Sequence, residues 1–174
     1  LINVGRLVDQ KDQMTLLKAV NRIKLRIDFD LIIVGDGYKK KELLDFIKKN
    51  NLSKRVRLIG SKHDPIKLIK LSDIFILTSL YEGLPNVLLE AQVLKTYIIS
   101  SNCPTGPKEI LLNGKAGSLF KIRDYKGLSK LILNFSKNKR KNLKVAKYGY
   151  KNLFRFDYKS NLNKYFEEIN SLVK

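Results

Sequence analysis

Little in this chain could hold a metal ion or a disulfide. Its 174 residues contain one cysteine, one histidine, one methionine and no tryptophan. A lone cysteine excludes an internal disulfide framework and fits a reducing compartment. One histidine and one cysteine do not assemble the usual transition-metal site. No apolar run approaches the ~20 residues of a membrane span, and no signal-peptide pattern opens the chain. Acidic side chains are scarce, 16 against 35 Lys/Arg, which leaves a net charge of +19. The imbalance is uneven: residues 121–174 hold 15 Lys/Arg and four Asp/Glu, a balance of +11. Two readings of that charge stand side by side. It is a basic face for anionic lipid, nucleic acid or anionic ligands, or it is A/T-rich codon usage, since Lys, Asn and Ile are all abundant.

What is present is an alternation of short apolar runs with amphipathic stretches. The 44% hydrophobic content is that of an ordinary globular protein, and the length suits one domain with a sizeable core. Strands are expected at Leu1–Val4, Phe29–Val34, Val56–Ile59, Ile74–Leu77, Tyr97–Ser100 and Gly117–Phe120. Helices are expected at Asp12–Lys24, Lys39–Asn50, from about Pro65, from Asn86, within 103–111, and from an Asp124 N-cap to about Phe135. Residues 137–174 read as basic helices with a break near Phe156-Asp157. The fold class is α/β, a Rossmann-like parallel sheet with helices on both faces. The whole of 1–174 reads as one such domain.

The central stretch is Glu82-Gly83-Leu84-Pro85-Asn86-Val87-Leu88-Leu89-Glu90-Ala91. It follows an apolar run ending in Thr78-Ser79. Gly83 permits a tight turn, and Pro85 suits the first turn of a helix. From Asn86 that helix is apolar nearly all round, so it is expected to be buried. Glu90 then stands in its middle with no basic residue one turn away. Glu82 and Glu90 bracket a helix N-terminus, the part of a fold most ready to hold phosphate. A ligand with hydroxyls at both ends and negative charge between them matches: a nucleotide sugar. Gly5-Arg6 closes the first strand and Lys11 follows in the next loop, also at carboxyl ends of strands, where open parallel sheets bind ligands. Arg offers a planar fork for phosphate and Lys a movable point charge.

The decapeptide resembles the Glu-x7-Glu signature of retaining glycosyltransferases with two Rossmann-like domains (GT-B fold), in particular glycosyltransferase family 4. The resemblance implies that Glu82 contacts the donor sugar, Glu90 holds the ribose hydroxyls, and backbone amides around Asn86 and Val87 meet the diphosphate. Gly83, Leu84 and Pro85 belong to the same donor-binding loop. Arg6, after Gly5 in a Val-Gly-Arg segment, and Lys11 match the family's pair of diphosphate-neutralising cations. Leu58-Ile59-Gly60-Ser61 corresponds to the place where such proteins seat the base, which makes Ser61 a further candidate. Cys103-Pro104-Thr105-Gly106-Pro107-Lys108-Glu109-Ile110-Leu111 resembles a segment of members that build bacterial surface glycans from uridine-diphosphate hexoses or N-acetylhexosamines. Val34-Gly35-Asp36-Gly37 reads as a structural turn, His63 as a surface loop residue, and Cys103 as a small, reduced, buried one.

The resemblance implies the donor-binding half of a retaining, metal-independent enzyme of hexosyltransferase class. No cofactor is expected, and the expected substrate is a UDP-sugar or GDP-sugar. The expected partners are an N-terminal acceptor domain not represented in these residues and an anionic membrane surface, with no nucleic acid. The expected location is cytoplasmic, peripheral at the inner face of the membrane. The chain begins at Leu1 within a strand-like run, which reads as a piece of a larger polypeptide. Without the acceptor domain, transfer by this chain alone is not expected. Two rivals are an epimerase-like enzyme of the same architecture and a basic nucleic-acid or membrane module with a vestigial nucleotide site.

Overall fold

A computed structural model describes residues 1–172. Six strands make one all-parallel sheet: β1 Ile2–Val4, β2 Leu31–Val34, β3 Val56–Leu58, β4 Ile74–Leu77, β5 Tyr97–Ser101 and β6 Ser118–Phe120. Their spatial order is β3-β2-β1-β4-β5-β6. The chain therefore winds outward from β1 in one direction and from β4 in the other. Ile2 is paired with Ile32 on one side and Phe75 on the other, so the reversal lies between β1 and β4. Crevices open at the carboxyl ends of strands at such a reversal.

The helices are α1 Gln13–Ile23, α2 Lys40–Lys49, α3 Ile66–Lys70, α4 Asn86–Val93, α5 Pro107–Ile110, α6 Tyr125–Lys137, α7 Lys139–Lys151 and α8 Tyr158–Leu172. Two N-caps follow from sequence chemistry. Asp12 accepts from the Thr15 amide and hydroxyl, and Asp124 accepts from the Gly127 amide. The sheet is covered on both faces, which is why its strands are continuously apolar rather than alternating. Ile74, Ile76, Tyr97 and Ile99 face one core with Leu16, Val20, Leu43, Leu128 and Ile132. Phe75, Leu77 and Ile98 face the other with Ile69, Leu88, Ala91 and Ile110.

Expected and observed elements agree in order and type, and differ at their ends. Phe29-Asp30 lie before β2 and Ile59 after β3. The basic C-terminal helices and the break between them are present as α7, a short 3-10 turn at Leu153–Phe156, and α8. The last two residues of that expected range, 173–174, lie outside the described residues. α7 crosses the amino end of the sheet. Lys139 pairs with Asp73 at 2.6 Å just before β4, Tyr150 lies under the Lys95 ammonium before β5, and Gly149 abuts Ala116 before β6. Among the described residues no helix is long and apolar enough to cross a membrane.

Candidate functional site

The loops leaving β1 and β4 meet at the carboxyl end of the sheet, and main-chain bonds lock them together. The Leu80 amide donates to the Gln10 carbonyl at 2.8 Å, and the Gln10 side chain donates to the Tyr81 carbonyl at 3.0 Å. The Thr78 hydroxyl donates to the Lys11 carbonyl at 2.7 Å. Within this frame Lys11 Nζ reaches Glu82 Oε1 at 2.6 Å, with the two side chains 18% and 8% exposed. Ser79 Oγ donates to the same Oε1 at 2.5 Å. Two residues expected to touch different parts of a ligand thus touch each other.

Gly5 and Arg6 stand where expected, at the end of β1. The Gly5 amide donates to the Val34 carbonyl, and the Lys11 methylenes pack against the Gly5 α-carbon. Arg6 is exposed, and its guanidinium makes no ion pair among the described residues. Gly35 has φ of 146° and presses its α-carbon against the Gly5 carbonyl, where no side chain would fit. That agrees with its reading as a structural glycine, and gives it the task of shaping the Gly5-Arg6 turn. Ser61 is exposed after β3, next to Gly60, whose carbonyl accepts from the Gly35 amide. His63 is exposed, as expected of a surface loop residue. Lys40 and the Gly37 amide hold the neighbouring Asp36 carboxyl below its ordinary range.

α4 starts at Asn86 as expected, and Pro85 stands at its N-cap with φ −74° and ψ 95°. Its missing N–H and fixed φ set the direction in which the helix leaves the loop. No side chain caps the helix, so the Asn86 and Val87 amides remain available at its N-terminus. α4 is less buried than its composition implies. Leu88, Ala91 and Gln92 are inside, but Val93 is 54% exposed and Glu90 is half-buried. Glu90 accordingly avoids the cost of full burial, and no described residue forms a hydrogen bond or ion pair with its carboxylate. Gly83 and Leu84 are exposed at the mouth of this loop.

The segment 103–111 braces the Glu82 loop from the β5 side. The Thr105 hydroxyl donates to the Glu82 carbonyl. Gly106, at φ 82°, lies against the Gly83 carbonyl and the Pro85 ring, a space a Cβ would fill. Cys103 is buried; burial, with the Glu82 charge added to it, pushes its thiol pKa up, so it stays a neutral thiol. Sequence reasoning gave no role to Gln10, Thr78, Ser79 or Thr105. Their only signal was a pair of hydroxyl residues ending an apolar strand and another beside Gly106.

This arrangement sets a largely buried Lys11–Glu82 ion pair beside the uncapped start of α4, whose Glu90 carboxylate has no partner among the described residues. Residues 1–152 match the family described as Glycosyl transferases group 1. An uncharacterized glycosyltransferase of Methanocaldococcus jannaschii is 44% identical over 111 residues, which are 63% of this chain and 27% of that protein. The Escherichia coli UDP-Gal:alpha-D-GlcNAc-diphosphoundecaprenol alpha-1,3-galactosyltransferase is 34% identical over 148 residues, 80% of this chain and 37% of that one. The chain thus spans 27 to 37% of the length of these curated relatives. The crystal structure of Anabaena HepE in complex with UDP matches 98% of this chain and 48% of its own, with TM-score 0.87 and 23% identity. A C-terminal domain of the group 1 glycosyl transferase LpcC from Francisella tularensis matches 88% of this chain and 84% of its own, with TM-score 0.78 and 22% identity. The sheet is the Rossmann-like half of a GT-B architecture, and the chain belongs to the Glycosyl transferases group 1 family.

Proposed function

We propose that this chain is the donor-binding domain of a retaining, metal-independent glycosyltransferase that uses a nucleoside diphosphate sugar, foremost a UDP-sugar. The observation that carries the reading is the Lys11–Glu82 pair, held at the sheet's reversal point beside the uncapped N-terminus of α4. Helix amides and their dipole favour a diphosphate. Arg6 and Lys11 supply fixed positive charge where the departing diphosphate develops negative charge, an electrostatic contribution that a preorganised site makes without reorganisation. Glu82 positions the sugar, Glu90 accepts from the ribose hydroxyls, and Ser61 with its neighbouring backbone borders the base. Attack by the acceptor comes from the face the diphosphate leaves, and the cations stabilise the charge on that leaving group.

Relatives support the substrate class. The Anabaena neighbour holds UDP, and a pneumococcal O-GlcNAc transferase neighbour holds UDP and GlcNAc. The named acceptors of the Escherichia coli relative and of a Campylobacter jejuni relative are diphosphoundecaprenol-linked sugars. Others are named for capsular polysaccharide and lipopolysaccharide core biosynthesis. Transfer of a hexose or N-acetylhexosamine to a lipid-linked or glycan acceptor in surface polysaccharide synthesis is the activity these observations favour, with a peripheral position at an anionic membrane. Calorimetric titration with UDP, GDP and inorganic pyrophosphate tests the site. Saturable binding of UDP above that of pyrophosphate is the expected result. Equal, weak binding of all three would leave only a basic surface.

A further inference from the structure

We propose that Ser79 is a positioning residue for the donor sugar: it saturates one oxygen of Glu82 and so turns the other toward the ligand. This rests on the reading of Glu82 as the sugar-contacting carboxylate. A carboxylate oxygen accepts about two hydrogen bonds along its lone pairs. Both positions on Oε1 are taken, by Ser79 Oγ at 2.5 Å and Lys11 Nζ at 2.6 Å. Oε2 receives no hydrogen bond from a described residue, and it is not among the fully buried polar atoms without a partner, so it keeps access to the crevice. It is the oxygen left to accept from a sugar hydroxyl.

The rest of the network makes Ser79 a fixed reference rather than a mobile donor. Ser79 is fully buried, and its carbonyl accepts from the equally buried Ser101 hydroxyl at 2.6 Å. Glu82 is held at its other end as well, since its carbonyl accepts from Thr105. Lys11 alone would not orient the carboxylate. An ammonium has three rotatable donors on a flexible stem and satisfies either oxygen equally well. A hydroxyl fixed two residues past the end of β4 reaches only one of them. The short O–H to carboxylate distance is that of a charge-assisted bond, the stronger kind.

The test compares UDP with a panel of UDP-glucose, UDP-galactose, UDP-N-acetylglucosamine and UDP-N-acetylgalactosamine on the folded chain. Ser79→Ala should leave UDP affinity within about twofold and lower affinity for the preferred UDP-sugar about 10- to 150-fold, the span of one hydrogen bond to a charged group. Ser79→Cys keeps the volume and weakens the donor, so it should shift the same ratio should the alanine variant fold poorly. Ser129→Ala removes a buried hydroxyl outside this network, bonded to the Lys126 carbonyl, and should leave the ratio of UDP-sugar to UDP affinity unchanged. A folded Ser79→Ala with the wild-type ratio, or a Ser129→Ala with the same shift as Ser79→Ala, would overturn the assignment. Wild-type protein that binds UDP but gains or loses nothing with any sugar would overturn the sugar role of Glu82 itself, and with it this one.

Discussion

Lys11 and Glu82 are 71 positions apart in the chain and 2.6 Å apart in space. The pair ties the β1 loop to the β4 loop across the reversal of the sheet. Removing one partner strands the other where little water reaches. Breaking a fully buried pair costs ~3–5 kcal/mol, and the residual exposure of Lys11 lowers this to about 2–4 kcal/mol for Lys11→Met. Glu82→Gln keeps a hydrogen-bonding group and should cost less. Urea melts of both single variants and of the double variant measure the coupling. A double variant as unstable as the sum of the singles would show that the two side chains do not act as a pair.

Glu90 should behave in the opposite way. It is half-buried and makes no hydrogen bond or ion pair among the described residues, so its loss removes nothing from the fold. Should it accept from ribose hydroxyls, Glu90→Gln weakens UDP binding by about 1.5–3 kcal/mol, the range for hydrogen bonds to a charged group. Calorimetry and a urea melt on the same preparation separate the two properties. Unchanged affinity together with a large loss of stability would make Glu90 a structural residue.

Much of this was legible in the sequence because the strands are buried on both faces. Ile74-Phe75-Ile76-Leu77 and Tyr97-Ile98-Ile99 are apolar runs short enough to be strands, bounded by turn residues. Glu82 and Glu90 could be singled out because their spacing spans a strand-to-helix junction. The partnership of Lys11 with Glu82 was not readable, since the order of strands decides which loops meet. β4 returns to lie beside β1, and sequence proximity gives no hint of that. The half-exposure of Glu90 escaped for a related reason. An apolar helix implies burial only if neighbours surround it, and α4 leaves Val93 and Glu90 on an open side. Ser79 and Thr105 are ordinary hydroxyl residues in sequence, and only their distances to Glu82 distinguish them.

The basic C-terminal third has a defined surface. α7 carries Lys139, Arg140, Lys141, Lys144, Lys147 and Lys151 and no acidic residue. Asn142, Ala146 and Gly149 face inward, so Arg140, Lys144, Lys147 and Lys151 form a stripe on the opposite side. Exposed Tyr148 and Leu143 flank it, and exposed Phe154 follows it in the chain. Attraction to an anionic bilayer is worth ~1 kcal/mol per basic residue near the surface. Binding to phosphatidylserine vesicles should therefore fall sharply when these four are changed to Gln, and vanish by about 0.5 M salt, where the Debye length is only a few ångström. Sedimentation with neutral and anionic vesicles measures it. Equal binding to both, or no change in the fourfold variant, would return the stripe to codon usage. Because α7 crosses the amino end of the sheet, docking there would leave the crevice with Lys11 and Glu82 facing away from the bilayer.

The 174-residue polypeptide by itself should fold, bind nucleotide and fail to transfer sugar. Folding follows from the sheet being covered on both faces by helices within the chain. Binding follows because Arg6, Lys11, Glu82, the Asn86 and Val87 amides and Glu90 all lie within these residues, and the amides are held by a formed helix. Transfer also needs an acceptor fixed against the sugar, and orientation of two reactants supplies ~7–11 kcal/mol of barrier lowering. The chain spans only 27 to 37% of the length of relatives named for complete transfer reactions or as glycosyltransferases. The acceptor-orienting surface is expected outside residues 1–174, and a donor site open to water on that side should bind with modest affinity. One preparation serves two assays, calorimetry with UDP and GDP and a radiolabelled-donor assay with lipid-linked and glycan acceptors. Robust transfer by this polypeptide would show that the acceptor site lies within residues 1–174. Absence of UDP binding at millimolar concentration would remove the donor site from the crevice altogether.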